Sequence, residues 1–433
     1  MQKQIYLCLL ACLALCMMFP LSGKSAITAP VYSVITVNGA ISPPVTQYIL
    51  ENIGEAEKSK ADGLVILLDT PGGLDLAMRD IAKGILNAKL PVIVFVYPSG
   101  ARAASAGVII TVAAHVAAMA PGTNIGAAHP VGIGLGGGMD KTMAKKVEND
   151  AVAYARSIAR QRGRNEDWVE QAVRRSESIT AEDALKHHVI DFMAADVKDL
   201  LGKMDGREVV LPSGKQVLRT AGAVVQEHPM STRQKILVTL SDPNIAYILL
   251  LVGLAGLYFE LAHPGVILPG IIGGISLIMA FFAMQTLPVN YAGVALILFG
   301  VILFIAEIKI MSHGLLTVGG VISLVMGSLM LFKSPDPAMR VSFDVMIPTL
   351  SVVILFFVSI IGLVIRAQLR RKHTGKEGMV GEVGKAVTDI HEGGKVLIRG
   401  EYWNAVSDRP IGSGKTVKVL KVEDGLKVHV EES

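Results

Sequence analysis

Five apolar runs crowded into residues 245–365 constrain this chain more than any other feature. They cover residues 245–261, 266–284, 291–308, 315–332 and 345–365. Each is close to the about 17–25 residues that a helix needs to cross a bilayer. A chain with that block is a membrane protein, and its mean hydropathy of +0.50 agrees. Pro269, Pro288 and Pro348 fall near run ends, while Gly270, Gly273 and Gly274 offer small faces for helix packing. No tandem repeat of fixed period is visible. Glu260, Glu307 and Lys309 lie near run ends, where ionisable groups read as interface anchors rather than as a buried relay.

A sixth apolar run, residues 5–21, follows Lys3 and precedes the small residues of 22–26, which predicts a secretory signal peptide over 1–26. Lys24 weakens the cleavage motif before Ala26, and an uncleaved anchor would give the same topology. Cys8, Cys12 and Cys16 all lie inside this run, so a processed chain has neither disulfides nor cysteine catalysis. The net charge is only +4, and much of the local excess is Arg366, Arg370, Arg371, Lys372 and Lys376, just after the last span. Positive residues there mark the cytoplasmic side. The expected arrangement is a multi-pass protein of the cell (inner) membrane, with 27–242 extracytoplasmic and the C-terminus cytoplasmic.

Between the first run and the block of five, residues 27–205 alternate buried-strand patterns with amphipathic stretches, the signature of an α/β domain. Strands are expected over 65–69 and 92–97, and helices over 44–59, 76–86, 141–162 and 165–175. Residues 206–243 are polar with scattered β-prone positions and read as a connector, followed by a transmembrane region of about five helices over 244–367. Residues 376–433 hold short alternating strands with Gly-rich turns, the pattern of a small five-stranded barrel. Its acidic and basic residues nearly balance and only Tyr402 and Trp403 offer stacking, so nucleic acid is not an expected partner.

The α/β domain carries a constellation with chemical meaning. The turn Asp69-Thr70-Pro71-Gly72-Gly73 ends one strand, and the run Gly100-Ala101-Arg102-Ala103-Ala104-Ser105-Ala106-Gly107 follows the next. Small flanking residues let backbone approach a substrate around Ser105, and a Gly-Gly turn can aim N–H groups at a developing oxyanion. Each piece alone is ordinary: Ala/Ser/Gly runs serve tight helix contacts, and Pro-Gly-Gly is a common turn. On consecutive β-α units they read as a nucleophile, Ser105, with oxyanion donors from Gly72 or Gly73 and from Ala106. His115, His187 and His188 lack metal-ligand spacing, and Gly412-Ser413-Gly414-Lys415-Thr416 lacks the upstream glycine of a phosphate loop, so neither a metal nor another cofactor is expected.

These motifs, with Tyr97-Pro98-Ser99-Gly100-Ala101, Met119-Ala120-Pro121-Gly122-Thr123-Asn124-Ile125-Gly126-Ala127 and Gly400-Glu401-Tyr402-Trp403-Asn404-Ala405, resemble the membrane-bound serine proteases of the long NfeD type, the stomatin operon partner proteins. The resemblance implies a ClpP/crotonase-like α/β domain, a helical transmembrane bundle and a small all-β OB-type barrel. It also implies a Ser-Lys dyad in place of a triad. In the resembling proteases the lysine follows a Gly-rich loop; here Gly132 to Gly138 is that loop and Lys146 the matching base, with Lys145 as an alternative. A lysine accepts a proton only when neutral, for which burial and the like charges of Lys141 and Lys145 are the expected aids. His129 stands where soluble ClpP peptidases carry their histidine, but the place of the triad acid holds Ser176 with only Glu177 adjacent, so His129 is the alternative base. Expected substrates are apolar segments of membrane proteins, with a stomatin-like (band 7) protein as partner, cut without ATP by a homo-oligomer. Leu74, Ala101, Ala104, Val108 and Ile133 are the expected apolar lining of the site. The rival readings are a non-catalytic membrane scaffold organising stomatin-like partners, and an acyl-CoA enzyme of crotonase type, against which the export signal argues.

Overall fold

The structure is a computed structural model describing residues 29–130, 141–262, 265–285, 287, 289–310, 312, 314–332, 339–369, 376–423 and 427–433. The expected signal peptide lies outside the described residues.

The α/β domain contains β1 (Val31–Asn38), β2 (Gly63–Asp69), β3 (Val92–Val96), β4 (Arg102–Ala104), β5 (Val116–Met119), β6 (Asn124–Gly126), β7 (Ser178–Thr180), β8 (Phe192–Met193), β9 (Glu208–Leu211), β10 (Gly214–Val217) and β11 (Val224–Glu227). Six of them form one sheet in the order β11-β1-β2-β3-β5-β8, every pair parallel. All five residues of β3, Val-Ile-Val-Phe-Val, are buried, as a parallel strand covered on both faces demands. Alternate residues serve opposite layers. Ile35, Ile66 and Val94 join the larger core, while Val34, Val65 and Phe95 join a second one with Leu200 and Met204. Helices α1 (Pro43–Ser59), α2 (Asp75–Asn87), α3 (Ala106–Ala113), α4 (Lys141–Gln161), α5 (Glu166–Arg174), α6 (Ala181–Lys186) and α7 (Val197–Met204) supply the cover.

One edge of this core holds a buried histidine. The Val92 N–H donates to Nδ1 of His115 at 3.2 Å, and the Arg162 guanidinium lies 3.2 Å from Nε2. Burial, reinforced by the Arg162 charge, pushes the imidazole pKa down to about 3.

Residues 206–243 are more structured than a connector. They contain β9, β10, β11 and a helix α8 (Thr232–Leu240), and β11 pairs in parallel with β1 from Val31↔Val224 to Val34↔Glu227. All four β11 side chains are exposed, so the strand lacks the apolar alternation that would announce it; backbone pairing alone recruits it. Ser231 and Gln234 close a reciprocal capping box at the start of α8.

Five apolar helices follow: α9 (Pro243–Ala262), α10 (Ile267–Met284), α11 (Tyr291–Lys309), α12 (Leu315–Leu331) and α13 (Phe343–Leu369). Three, over Pro243–Ala262, Ile267–Met284 and Phe343–Leu363, are long and apolar enough to cross a membrane; Tyr291–Glu307 and Leu315–Leu331 are shorter apolar helices. The hairpins α9–α10 and α11–α12 are built alike, a periodicity the sequence reading missed. Gly253, Leu257, Glu260, Gly273, Ser276 and Leu277 of the first recur at one constant spacing as Gly300, Phe304, Glu307, Gly320, Ser323 and Leu324 of the second. Their contacts recur as well. A methyl on Gly273 would lie 2.9 Å from the Gly253 carbonyl oxygen, and one on Gly320 would lie 3.0 Å from that of Gly300. The glutamates differ: Glu307 accepts from the Ser312 hydroxyl and from the Gly314 and Thr317 N–H groups, capping α12, whereas Oε2 of Glu260 has no partner among the described residues.

The C-terminal region has a short helix, α14 (Lys376–Met379), then β12 (Val383–Ala386), β13 (Gly394–Ile398), β14 (Glu401–Val406), β15 (Thr416–Glu423) and β16 (Lys427–Glu432). They close a barrel in the order β12-β13-β14-β16-β15 around Val396, Ile398, Val417, Val419, Val428 and Val430. This is the expected OB-type barrel, and its inward positions alternate along each strand.

Candidate active site

The site lies at the carboxyl ends of the parallel strands, the usual place for ligands in such sheets. The turn after β2 is stitched to β4: Thr70 N–H donates to the Arg102 carbonyl at 2.8 Å, Ala104 N–H to the Thr70 carbonyl at 3.0 Å, and Arg102 N–H to Asp69 Oδ1 at 3.0 Å. A third strand end joins through Ile41, whose N–H donates to the Gly72 carbonyl at 2.8 Å. Gly73 has φ +158°, and a Cβ there would overlap the Ile41 backbone. Only glycine fits.

Ser105 is the N-cap of α3, with φ 52° and ψ −112°, outside the regions that L-residues favour. Such a conformation costs about 1–3 kcal/mol and persists where surrounding structure enforces it. Here the Ser105 N–H donates to the Gly126 carbonyl at 2.9 Å and the Val108 N–H to the Ser105 carbonyl at 3.0 Å. Behind it α3 is wholly buried, so the turn stands on a rigid base and the half-buried hydroxyl faces the cleft. Ala106, the first residue of α3, has an N–H that no intrahelical carbonyl can reach.

The two glycines of the turn differ. The Gly72 N–H donates to Thr70 Oγ1 at 3.1 Å, whereas the Gly73 N–H has no partner among the described residues. Gly73, Ser105, Ala106, His129 and Lys146 all line one cavity of about 700 Å³. The structure thus brings together every sequence-predicted site residue except Gly72.

Lys146 sits on α4, whose face carrying Lys141, Lys145 and Lys146 is exposed. Burial by the fold, expected from the sequence, is not what the structure provides. The loop from Gly132 to Gly138 lies outside the described residues. One helical turn on, Asp150 lines the same cavity and is engaged by Arg79, which also binds Asp75 at 2.9 Å and lies 4.4 Å over the Tyr154 ring. That carboxylate is therefore paired with Arg79, whose pKa burial lowers but Asp75 and Asp150 together raise. His129 places Nδ1 2.9 Å from the Val173 carbonyl. A backbone carbonyl thus occupies the position where a triad has its carboxylate, and Glu177 makes no bond to the ring among the described residues.

Of the apolar lining expected from sequence, Leu74 lines the cavity, but Ala101 and Val108 are buried in the core, Ala104 in β4 does not line it, and Ile133 lies outside the described residues. Leu76, Met78, Val147 and Ala151 take their place, with Met339 from beyond the α/β domain.

Three family models match the chain in series: the NfeD1b N-terminal domain over residues 31–209, the NfeD integral membrane domain over 244–365 and the NfeD-like C-terminal, partner-binding domain over 376–432. A membrane-bound protease of Pyrococcus horikoshii is 36% identical over 388 residues, covering 87% of each chain. This chain belongs to the NfeD family. The membrane protein NfeD1b of Bacillus subtilis is 27% identical over 416 residues, 92% of each chain. Among solved structures, a membrane-bound stomatin-specific protease with a substrate peptide aligns at 34% identity and TM-score 0.46, covering 49% of this chain and 97% of that one. Kinship with the Pyrococcus enzyme supports a membrane protease in this NfeD protein, with the candidate site in its α/β domain.

Proposed function

We propose that this NfeD protein is an ATP-independent serine endopeptidase working through a Ser105–Lys146 dyad. The carrying observation is the single cavity that joins the strained turn at Ser105 to Lys146 on α4. Ser105 Oγ attacks the peptide carbonyl carbon and its proton passes to Lys146 Nζ. The same proton then goes to the leaving amine as the C–N bond breaks, and Lys146 next activates the water that hydrolyses the ester. Gly73 and Ala106 are the oxyanion donors, since the Gly72 N–H is already spent on Thr70. Lys146 is exposed in the free protein, and a peptide bound along the cavity covers it. His129, held by the Val173 carbonyl, shapes the wall.

The apolar wall of Leu74, Leu76, Val147 and Ala151 suits apolar segments and leaves charged side chains unpaired. Juxtamembrane stretches of membrane proteins fit this chemistry. By likeness to the stomatin-specific relative, a stomatin-like protein is the substrate or partner, with the C-terminal barrel as the partner-binding module. All five helices cross the membrane in this reading, which places the α/β domain outside the cytoplasm and the barrel inside, and the chain works as a homo-oligomer.

Cleavage of casein and of apolar peptides by the full chain in detergent tests this. Ser105→Ala and Lys146→Ala should each lower the rate at least about 10³-fold with unchanged melting, and the double variant should lose no more than either, as for residues acting as one unit. Full activity in Lys146→Ala with a dead His129→Ala would overturn the dyad.

A further inference from the structure

Met339 lies far along the chain from the catalytic half, between α12 and α13 of the membrane region, yet it lines the Ser105 cavity and is only 4% exposed. Its position is tied down step by step. The Ser342 N–H, three residues on, donates to Asn244 Oδ1 at 2.8 Å, in the first turn of α9. Helix α8 precedes α9 directly and is bound to the α/β domain by Gln234, which donates to Glu51 Oε2 at 2.8 Å, and by Val238, which packs on the larger core, as does Met230 just before the helix. The residue entering the last apolar helix is thereby held on the same side as the catalytic cleft.

We infer that Met339 is a specificity-determining residue: the membrane region supplies one wall of the substrate cavity and limits the size of the apolar side chain accepted beside the scissile bond. This rests on the protease reading above. The side chain suits the task. An unbranched thioether fills apolar space beside partners of different shape, and the same cavity is lined by the aliphatic side chains of Met78, Val147 and Ala151. A segment bound at Ser105 must share the cavity with Met339, so small apolar residues gain a close contact and large ones meet a side chain already in place. The discrimination comes from the membrane half, so the catalytic domain and its anchor select substrates together.

The test uses the full chain in detergent and peptides differing only in the residue flanking the cut, from Ala and Val to Phe and Trp. Met339→Ala should shift the kcat/KM ratio of Trp to Val peptides upward by about tenfold, the scale on which apolar pockets discriminate by size. Met339→Leu, which keeps the volume, should restore the original ratio. In a second experiment with Cys8, Cys12 and Cys16 replaced by Ala, Met339→Cys and Val147→Cys should be joined by a short bismaleimide. An unchanged peptide ratio in a cleaving enzyme, or failure to cross-link, overturns this assignment alone. Cross-linking in a chain that cuts nothing overturns the protease reading, and the assignment falls with it.

Discussion

The candidate cleft and the membrane hairpins both turn on glycine, but they use it for different physical reasons. At Gly73, which lines the cavity, the residue is needed for its backbone: φ +158° beside Ile41 excludes any Cβ. At Gly253, Gly273, Gly300 and Gly320 the backbone is plain helix, and the missing side chain lets two helices touch. The first requirement is met at single backbone positions of the cleft, at Gly73 and again at Gly126, where φ is +151° and a Cβ would overlap the Glu177 backbone. The second is met twice, in two hairpins that share a close glycine-to-glycine contact. A defect in the cleft should therefore abolish chemistry outright, while a defect in one hairpin should weaken an assembly that has a second copy of the same seam.

Three experiments would break or sharpen this contrast. The largest effect is expected for Gly73→Ala. If the turn moves to relieve the clash with Ile41, the loss of an aligned oxyanion donor should cut kcat about 10²–10³-fold, read as a rate ratio with the melting transition followed alongside. Near-normal kcat in a folded variant would remove Gly73 from the oxyanion site. Next in size, Gly273→Leu and Gly320→Leu should each destabilise the membrane region by about 2 kcal/mol through overpacking, seen as matching drops in thermal stability in detergent. Gly274→Leu is the control, because a Cβ there meets nothing within 4 Å. Unequal losses in the first two would deny that the seams are equivalent.

The smallest effect is a pH dependence within the α/β domain. His115 has a folded pKa of about 3, below its ordinary 6.5, so stability from keeping it neutral is complete above pH 6.5 and drains away as pH falls toward 3. The slope from this one group is at most about 1.4 kcal/mol per pH unit. Denaturant melts at pH 7, 5.5 and 4 should show it, and His115→Gln should flatten the curve relative to wild type. Parallel curves would place the acid sensitivity elsewhere.

Much of this architecture was legible in the sequence because backbone demands leave compositional marks. The turn at Gly72-Gly73, the small residues around Ser105 and the alternating strands of the barrel all report geometry that few other residues satisfy. Lys146 was legible only through family resemblance, since a basic run on an amphipathic helix looks like any solvated face. Arg79, Asp150 and Tyr154 escaped notice for the same reason: their mutual contacts join α2 to α4, and no local pattern records that. Strand β11 was hidden because its side chains are all exposed, and Met339 because nothing near it in sequence refers to the cleft. The paired hairpins were missed since their aligned positions share mainly glycine, serine and glutamate within a background of interchangeable apolar residues.

The pairing of β11 with β1 has a mechanical consequence. β11 is the last strand before α8 and the membrane helices, and it lies parallel to β1 with four residues in register. A tug on the anchor therefore pulls β11 lengthwise along its neighbour, loading the hydrogen bonds of the ladder together, in shear, rather than peeling them one at a time. The anchor is stitched to the sheet in the direction in which such a seam resists best, so tension from the bilayer that outlasts the contacts of α8 is borne along the outer strand.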